Sequence, residues 1–191
     1  LFFTTEEIIM KIVKQFLKEK YNLSNYQIAQ LIFLGKTVLS ESSKILIMSF
    51  IFYKQLPLYF FSLLIMCILR YSTGGIHFYT YMGCLTASTS YLVLGIKLLP
   101  KIPVSINIKL MLLLICTLIC YYVGPVLSKY RPPCNTIYIR KRKLIISFFI
   151  FLYTMIIYII PKSQYLIVGF WIIILHSLQL IIAKYTRKES C

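Results

Sequence analysis

A thiol and an imidazole, the pair that performs nucleophilic catalysis, stand seven positions apart at Cys84 and His77. A cysteine becomes a strong nucleophile when a base takes its proton, and it then attacks a carbonyl carbon as in cysteine peptidases. Gly74 and Gly75 precede the histidine, Gly83 precedes the cysteine, and Arg70 opens the segment. Long apolar runs flank the whole stretch.

Spacing limits what this pair can do. In a continuous α-helix, residues seven apart share a face but lie about 10 Å apart along the axis. A working Cys–His pair needs contact at about 3–4 Å. The backbone must therefore bend between the two, or the pairing is false. The glycines favour a bend, because glycine accepts positive φ and weakens helix propagation. His77 is then expected on a loop or partial helix, with Cys84 opening a helix that runs to about Leu99. A sulfur at a helix N-terminus sits in positive potential, which stabilises negative charge on it. Unpaired N–H groups at Gly83 and Cys84 would serve as an oxyanion hole, and Arg70 would orient a substrate carboxylate. Each feature also has a plain structural reading. The histidine is a polar anchor, the cysteine and glycines are packing residues, and Arg70 snorkels.

The elements that must position these residues are membrane helices. The chain has 191 residues, 59% of them hydrophobic, and its mean hydropathy is +0.80. Several runs are long enough to cross a bilayer. The expected fold is an all-α integral membrane protein: a compact bundle of about six transmembrane or partial helices plus an N-terminal amphipathic helix. Within a single domain, 1–191, residues 1–25 hold the amphipathic interfacial helix, with Ile8, Ile9, Ile12, Val13, Phe16 and Leu17 on one face. Residues 26–69 read as a first helical hairpin. The run 45–69, interrupted at Lys54, Gln55 and Pro57, is either one bent crossing or two halves. Residues 70–99 hold the motif and its helix, and 106–127 form a span. A basic loop follows at 128–143, then a helical hairpin at 144–183 and a basic tail at 184–191. Six full spans, or four with partial helices, both fit this pattern. The first residues do not read as a signal peptide, which would pair a basic stretch with an apolar one and a cleavage site.

Charge orients the bundle. There are 21 Lys and Arg against five acids, giving a net charge of +16. The loop 128–143 and the tail are expected in the cytoplasm by the positive-inside bias. Counting spans back from them puts His77 and Cys84 at the cytoplasmic face. The basic surplus suits anionic membrane lipids or an acidic peptide. It does not suit nucleic acid, since the charges flank apolar spans instead of forming a binding domain. All five acids are glutamate, so Ser-His-Asp triads and aspartyl dyads are excluded. With two histidines, no metal site or cofactor is expected.

The pattern Arg70, Gly74, Gly75, Ile76, His77 and Cys84, in a basic membrane protein of this length, resembles the AgrB family of bacterial quorum-sensing peptidases. The resemblance covers the whole layout. It implies His77 and Cys84 as the catalytic pair, with Arg70 and Gly75 in support. It also implies the partner: an AgrD-like propeptide with an amphipathic leader, a central signal and an acidic C-terminal tail. Cys84 would cleave signal from tail through a thioester, and an internal nucleophile of the peptide would close a thiolactone or lactone ring. Arg140, Lys141, Arg142 and Lys143 would attract the acidic tail. The expected location is the bacterial cell membrane, multi-pass, with the site facing the cytoplasm. Short irregular spans need cover, which a homodimer would supply.

Other reactive residues read as structural. His176, inside the last span, is expected to hydrogen-bond between helices. Cys116 and Cys120 share a helix face and pack. Cys134, in the basic loop, is the rival nucleophile. Glu41 would either orient His77 or form a local ion pair. Two rival classes remain: a small peptide transporter or exporter, and a non-catalytic membrane partner in which Cys84 is dispensable.

Overall fold

The computed structural model describes residues 15, 16, 18, 20, 24–76, 80–126 and 135–188. His77, Cys134, most of the amphipathic segment 1–25 and part of the segment 128–143 lie outside the described residues. Six helices carry the described chain: α1 (Asn25–Ile51), α2 (Leu56–Thr73), α3 (Tyr81–Val93), α4 (Ile106–Val123), α5 (Thr136–Ile159) and α6 (Gln164–Lys188). The helix of α3 continues as a π segment (Leu94–Leu98) and a 3-10 turn (Leu99–Lys101). Five helical stretches are long and apolar enough to cross a membrane: Tyr53–Thr73, Tyr81–Lys101, Ile106–Val123, Thr136–Ile159 and Gln164–Thr186. The all-α membrane bundle expected from the sequence is therefore present.

The chain divides into two compact units, Leu1–Phe50 and Ile51–Cys191. In the first, α1 runs unbroken through Ser40–Lys44. Its polar residues there are absorbed locally: the Ser43 hydroxyl donates to the Ser40 carbonyl, and Lys44 pairs with Glu41 at 2.6 Å. The interruption expected at Lys54, Gln55 and Pro57 is present as a single 3-10 turn, Tyr53–Gln55, that separates α1 from α2. Pro57 sits in the first turn of α2, where the missing N–H costs nothing.

In the second unit α6 is the central helix. It packs against α2, α4 and the π segment, and 56% of its span is buried, against 17% for the span of α3. Phe170, Ile172, Ile173, His176 and Leu180 are all fully enclosed. A helix apolar on all sides finds its stable place at the middle of a bundle. Two glycines set close approaches. A methyl group at Gly169 would strike the Tyr153 hydroxyl and Ile65, and one at Gly95 would strike Ile172.

The basic segment needs a correction. Arg140, Lys141, Arg142 and Lys143 were read as loop, but they lie on α5, which begins at Thr136 behind an Asn135 cap that accepts from the Ile137 N–H. Lysine and arginine are good helix formers, so the helix starts two turns before its apolar stretch. Arg142 donates to the Tyr71 carbonyl and the Tyr138 hydroxyl and lies over both rings. Lys143 lies over the Tyr121 ring at 5.4 Å. These contacts bring the start of α5 to the same end of the bundle as the ends of α2 and α4.

Candidate active site

The helix break required by the His77–Cys84 spacing is present. α2 ends at Thr73, and Gly74 adopts φ 77 and ψ −148, a conformation open almost only to glycine. A side chain there would also collide with the Val126 carbonyl. The end of α2 is closed by named partners. Gly74 N–H donates to Arg70 O at 2.9 Å, and Val126 N–H donates to Thr73 O at 2.8 Å. Arg142 takes the Tyr71 carbonyl. Three of the last carbonyls, which a helix cannot satisfy internally, are thereby used.

His176 supports the same point from α6. The Thr73 hydroxyl donates to the Leu69 carbonyl at 2.8 Å, so its 2.7 Å contact with His176 Nε2 is accepted from a ring N–H. Thr73 thus ties together α2, α6 and the segment after α4. The expected role of His176 as an interhelical hydrogen-bonding group matches this geometry.

The helix resumes at Tyr81. Thr80 is extended and caps it, its side chain accepting from Gly83 N–H at 3.1 Å, while Cys84 N–H donates to Thr80 O at 3.0 Å. This corrects the oxyanion reading: the N–H groups of Gly83 and Cys84 are not unpaired, because the capping threonine occupies both. Cys84 lies in the first turns of α3, half-buried.

Cys84, Ala87, Ser88 and Tyr91 fall on one face of α3 by their spacing. That face borders a cavity of about 150 Å³ lined by Met66, Arg70, Ile76, Ala87, Ser88, Tyr91 and Gln179. Arg70 is half-buried, and its Nε is sealed from solvent with no hydrogen-bond partner among the described residues. Gly75 lies against the same groups: a methyl added there would sit 3.4 Å from Gln179 Nε2 and 3.8 Å from Arg70 Nε. Sequence reasoning missed Gln179, Ser88 and Thr73. The available signal was a polar residue inside an apolar span, which marks function by default.

α3 is held from its far end. Tyr91 donates to the Ile172 carbonyl at 2.7 Å, the π segment packs on α6, and Lys97 lies over the Phe52 ring. π turns inside α-helices often mark functional sites. Here the turn brings buried Gly95 and Ile96 inward.

The remaining candidates have other partners or positions. Glu41 pairs with Lys44 on its own helix. Cys116 and Cys120 are buried, and Cys120 Sγ lies 3.7 Å from the Ser177 hydroxyl.

Comparison with known proteins decides the family. The family model described as Accessory gene regulator B matches residues 5–181. This chain belongs to the AgrB family. A protein of Clostridium beijerinckii described as AgrB-like is 31% identical over 137 residues, covering 69% of this chain and 68% of that protein. No solved structure matches the chain. Membership gives this AgrB chain a role in the agr quorum-sensing system, and its five apolar helices make it a membrane protein.

Proposed function

We propose that this AgrB protein is a membrane-embedded cysteine endopeptidase that removes the C-terminal tail of an AgrD-like propeptide and promotes closure of the signal ring. One observation carries the reading. Cys84 stands in the first turns of α3, just after a glycine-built break, on the face that borders the Arg70–Gln179 cavity.

In the first step His77 takes the Cys84 proton, and the sulfur attacks the carbonyl joining signal to tail. The C–N bond breaks, the imidazolium returns the proton to the leaving amine, and the signal remains as a thioester on Cys84. A cysteine or serine of the peptide then attacks the thioester, the C–S bond breaks, and the Cys84 thiol is restored. Exchanging an amide for a thioester is uphill, so removal of the released tail drives it. A site shielded by protein and lipid favours the internal nucleophile over water.

The tail reaches this site from the cytoplasm. Support comes from Arg140–Lys143, which share the bundle end of the break through the Arg142–Tyr71 and Lys143–Tyr121 contacts. With α2 crossing outward to inward, a cytoplasmic N-terminus requires α1 to cross as well. Its 27 residues span about 40 Å, and its Glu41–Lys44 pair neutralises two of its charges.

The test is tail release and a covalent adduct in proteoliposomes with an AgrD-type propeptide. Cys84→Ala and His77→Ala each abolish release, while Cys134→Ala does not. Full release by Cys84→Ala would assign the chemistry to another residue or another protein.

A further inference from the structure

Among the described residues, no anion is paired with Arg70. Between residues 42 and 188 the sequence contains no Asp or Glu, and Glu41 is already paired with Lys44. The other polar groups near the guanidinium are mostly committed: the Tyr91 hydroxyl to the Ile172 carbonyl, and His176 Nε2 to Thr73. A charge taken into a bundle interior is costly until it is paired and hydrogen-bonded. Among the described residues nothing supplies a counter-charge for Arg70, and the cavity beside it leaves room for one from a bound peptide.

We propose that the cavity between α2, α3 and α6 is a carboxylate site, which seats one Asp or Glu side chain of the peptide beside the bond that Cys84 attacks. This rests on the acyl-transfer reading above. Arg70 Nε lacks a partner among the described residues, and the Gln179 amide nitrogen converges with it on the space over Gly75. A planar carboxylate accepts two such N–H groups at once, and charge-assisted bonds of this kind are the strong ones. Met66, Ile76 and Ala87 complete the lining and take the methylene stem. A lipid phosphate, with more oxygens to satisfy, would press several of them against those three apolar residues.

Position on α3 sets which acid is read. Ala87 and Ser88 lie one turn beyond Cys84, about 5.4 Å along the axis. An extended peptide advances about 3.3 Å per residue. The acid is thus within two residues of the attacked carbonyl, and the site discriminates carboxylate from amide at that place.

The experiment crosses enzyme variants with substrate variants in proteoliposomes. Synthetic AgrD-type propeptides carry single Asp→Asn or Glu→Gln changes within two residues of the cut, and kcat/KM is measured for wild type, Gln179→Leu and Arg70→Gln. In wild type one such change lowers kcat/KM about 100-fold, the loss expected when a buried charge pair loses one partner. With Gln179→Leu the acid-to-amide ratio falls to about tenfold; with Arg70→Gln the two peptides are processed alike. A ratio that is unchanged in Gln179→Leu overturns the carboxylate site, and that variant alone decides if Arg70→Gln fails to insert. The same holds if no acid near the cut matters. Release that still depends on Cys84 would leave the peptidase reading standing in either case, whereas release by Cys84→Ala would remove that reading independently of the ratio.

Discussion

Gly74→Ala tests whether the helix break positions the site. An L side chain at φ 77 and ψ −148 costs about 1–3 kcal/mol. The new Cβ also meets the Val126 carbonyl, which is backbone and cannot rotate away. To clear it, the segment after α4 must shift and loosen the Val126 N–H bond to Thr73 O, worth about 1 kcal/mol. The combined cost is about 2–4 kcal/mol. The neighbouring Gly75→Ala is the control. Gly75 has no positive φ, and its added methyl meets Gln179 and Arg70 at ordinary contact distances. In detergent, Gly74→Ala lowers the unfolding midpoint by several degrees, while Gly75→Ala leaves it near wild type. In proteoliposomes Gly74→Ala lowers tail release at least about 100-fold, because the break between α2 and α3 is displaced. Gly75→Ala slows release for a different reason: its methyl enters the space between Arg70 and Gln179. Wild-type melting and turnover in Gly74→Ala would refute the argument that this glycine sets the geometry of the site.

Arg142→Ala should destabilise the protein by about 1–3 kcal/mol, since it frees the Tyr71 carbonyl and uncovers two rings; denaturant midpoints in detergent measure this. Arg140→Gln with Lys141→Gln should leave the fold intact and raise KM for an acidic-tailed propeptide, more at low salt than at high. Thr73→Val should cost about 1–3 kcal/mol, because it strands His176 Nε2 beside an Nδ1 that has no partner among the described residues. Adding His176→Leu removes the stranded groups, so the double variant should melt above the single one. Gly95→Ala should slow tail release by pushing α3 off Ile172; Ile172→Ala should restore part of it, a coupling of about 0.5–3 kcal/mol in a double-mutant cycle.

The membrane helices and the need for a break were legible because they follow from local rules: run length, glycine conformational freedom and the rise of a helix. The sequence offers both Gly74 and Gly75 as bend formers, and the positive φ falls on Gly74. Adjacent glycines are interchangeable in one dimension, and only the Val126 carbonyl distinguishes them. The basic segment was taken for loop because charge and hydropathy end a membrane span at the same place; neither reports that a helix continues into water. Gln179 and Thr73 were not visible because their partners are distant in sequence. His176 stands 103 positions from Thr73, and no spacing rule connects them.

The way α3 is held bears on how one helix can both present a nucleophile and admit a peptide. Beyond Cys84 it is fastened at Tyr91, Gly95 and Lys97, and it is the least buried of the five apolar spans. At the cysteine end the Thr80 side chain caps the first turn. The opposing wall is firm, because α2 ends in bonds to Val126, His176 and Arg142. The firm side thus carries Arg70 and Gln179, and α3 carries Cys84 across the cavity from them. This division sets the guanidinium of α2 and the amide of α6 on the firm side, and the thiol on the least buried span.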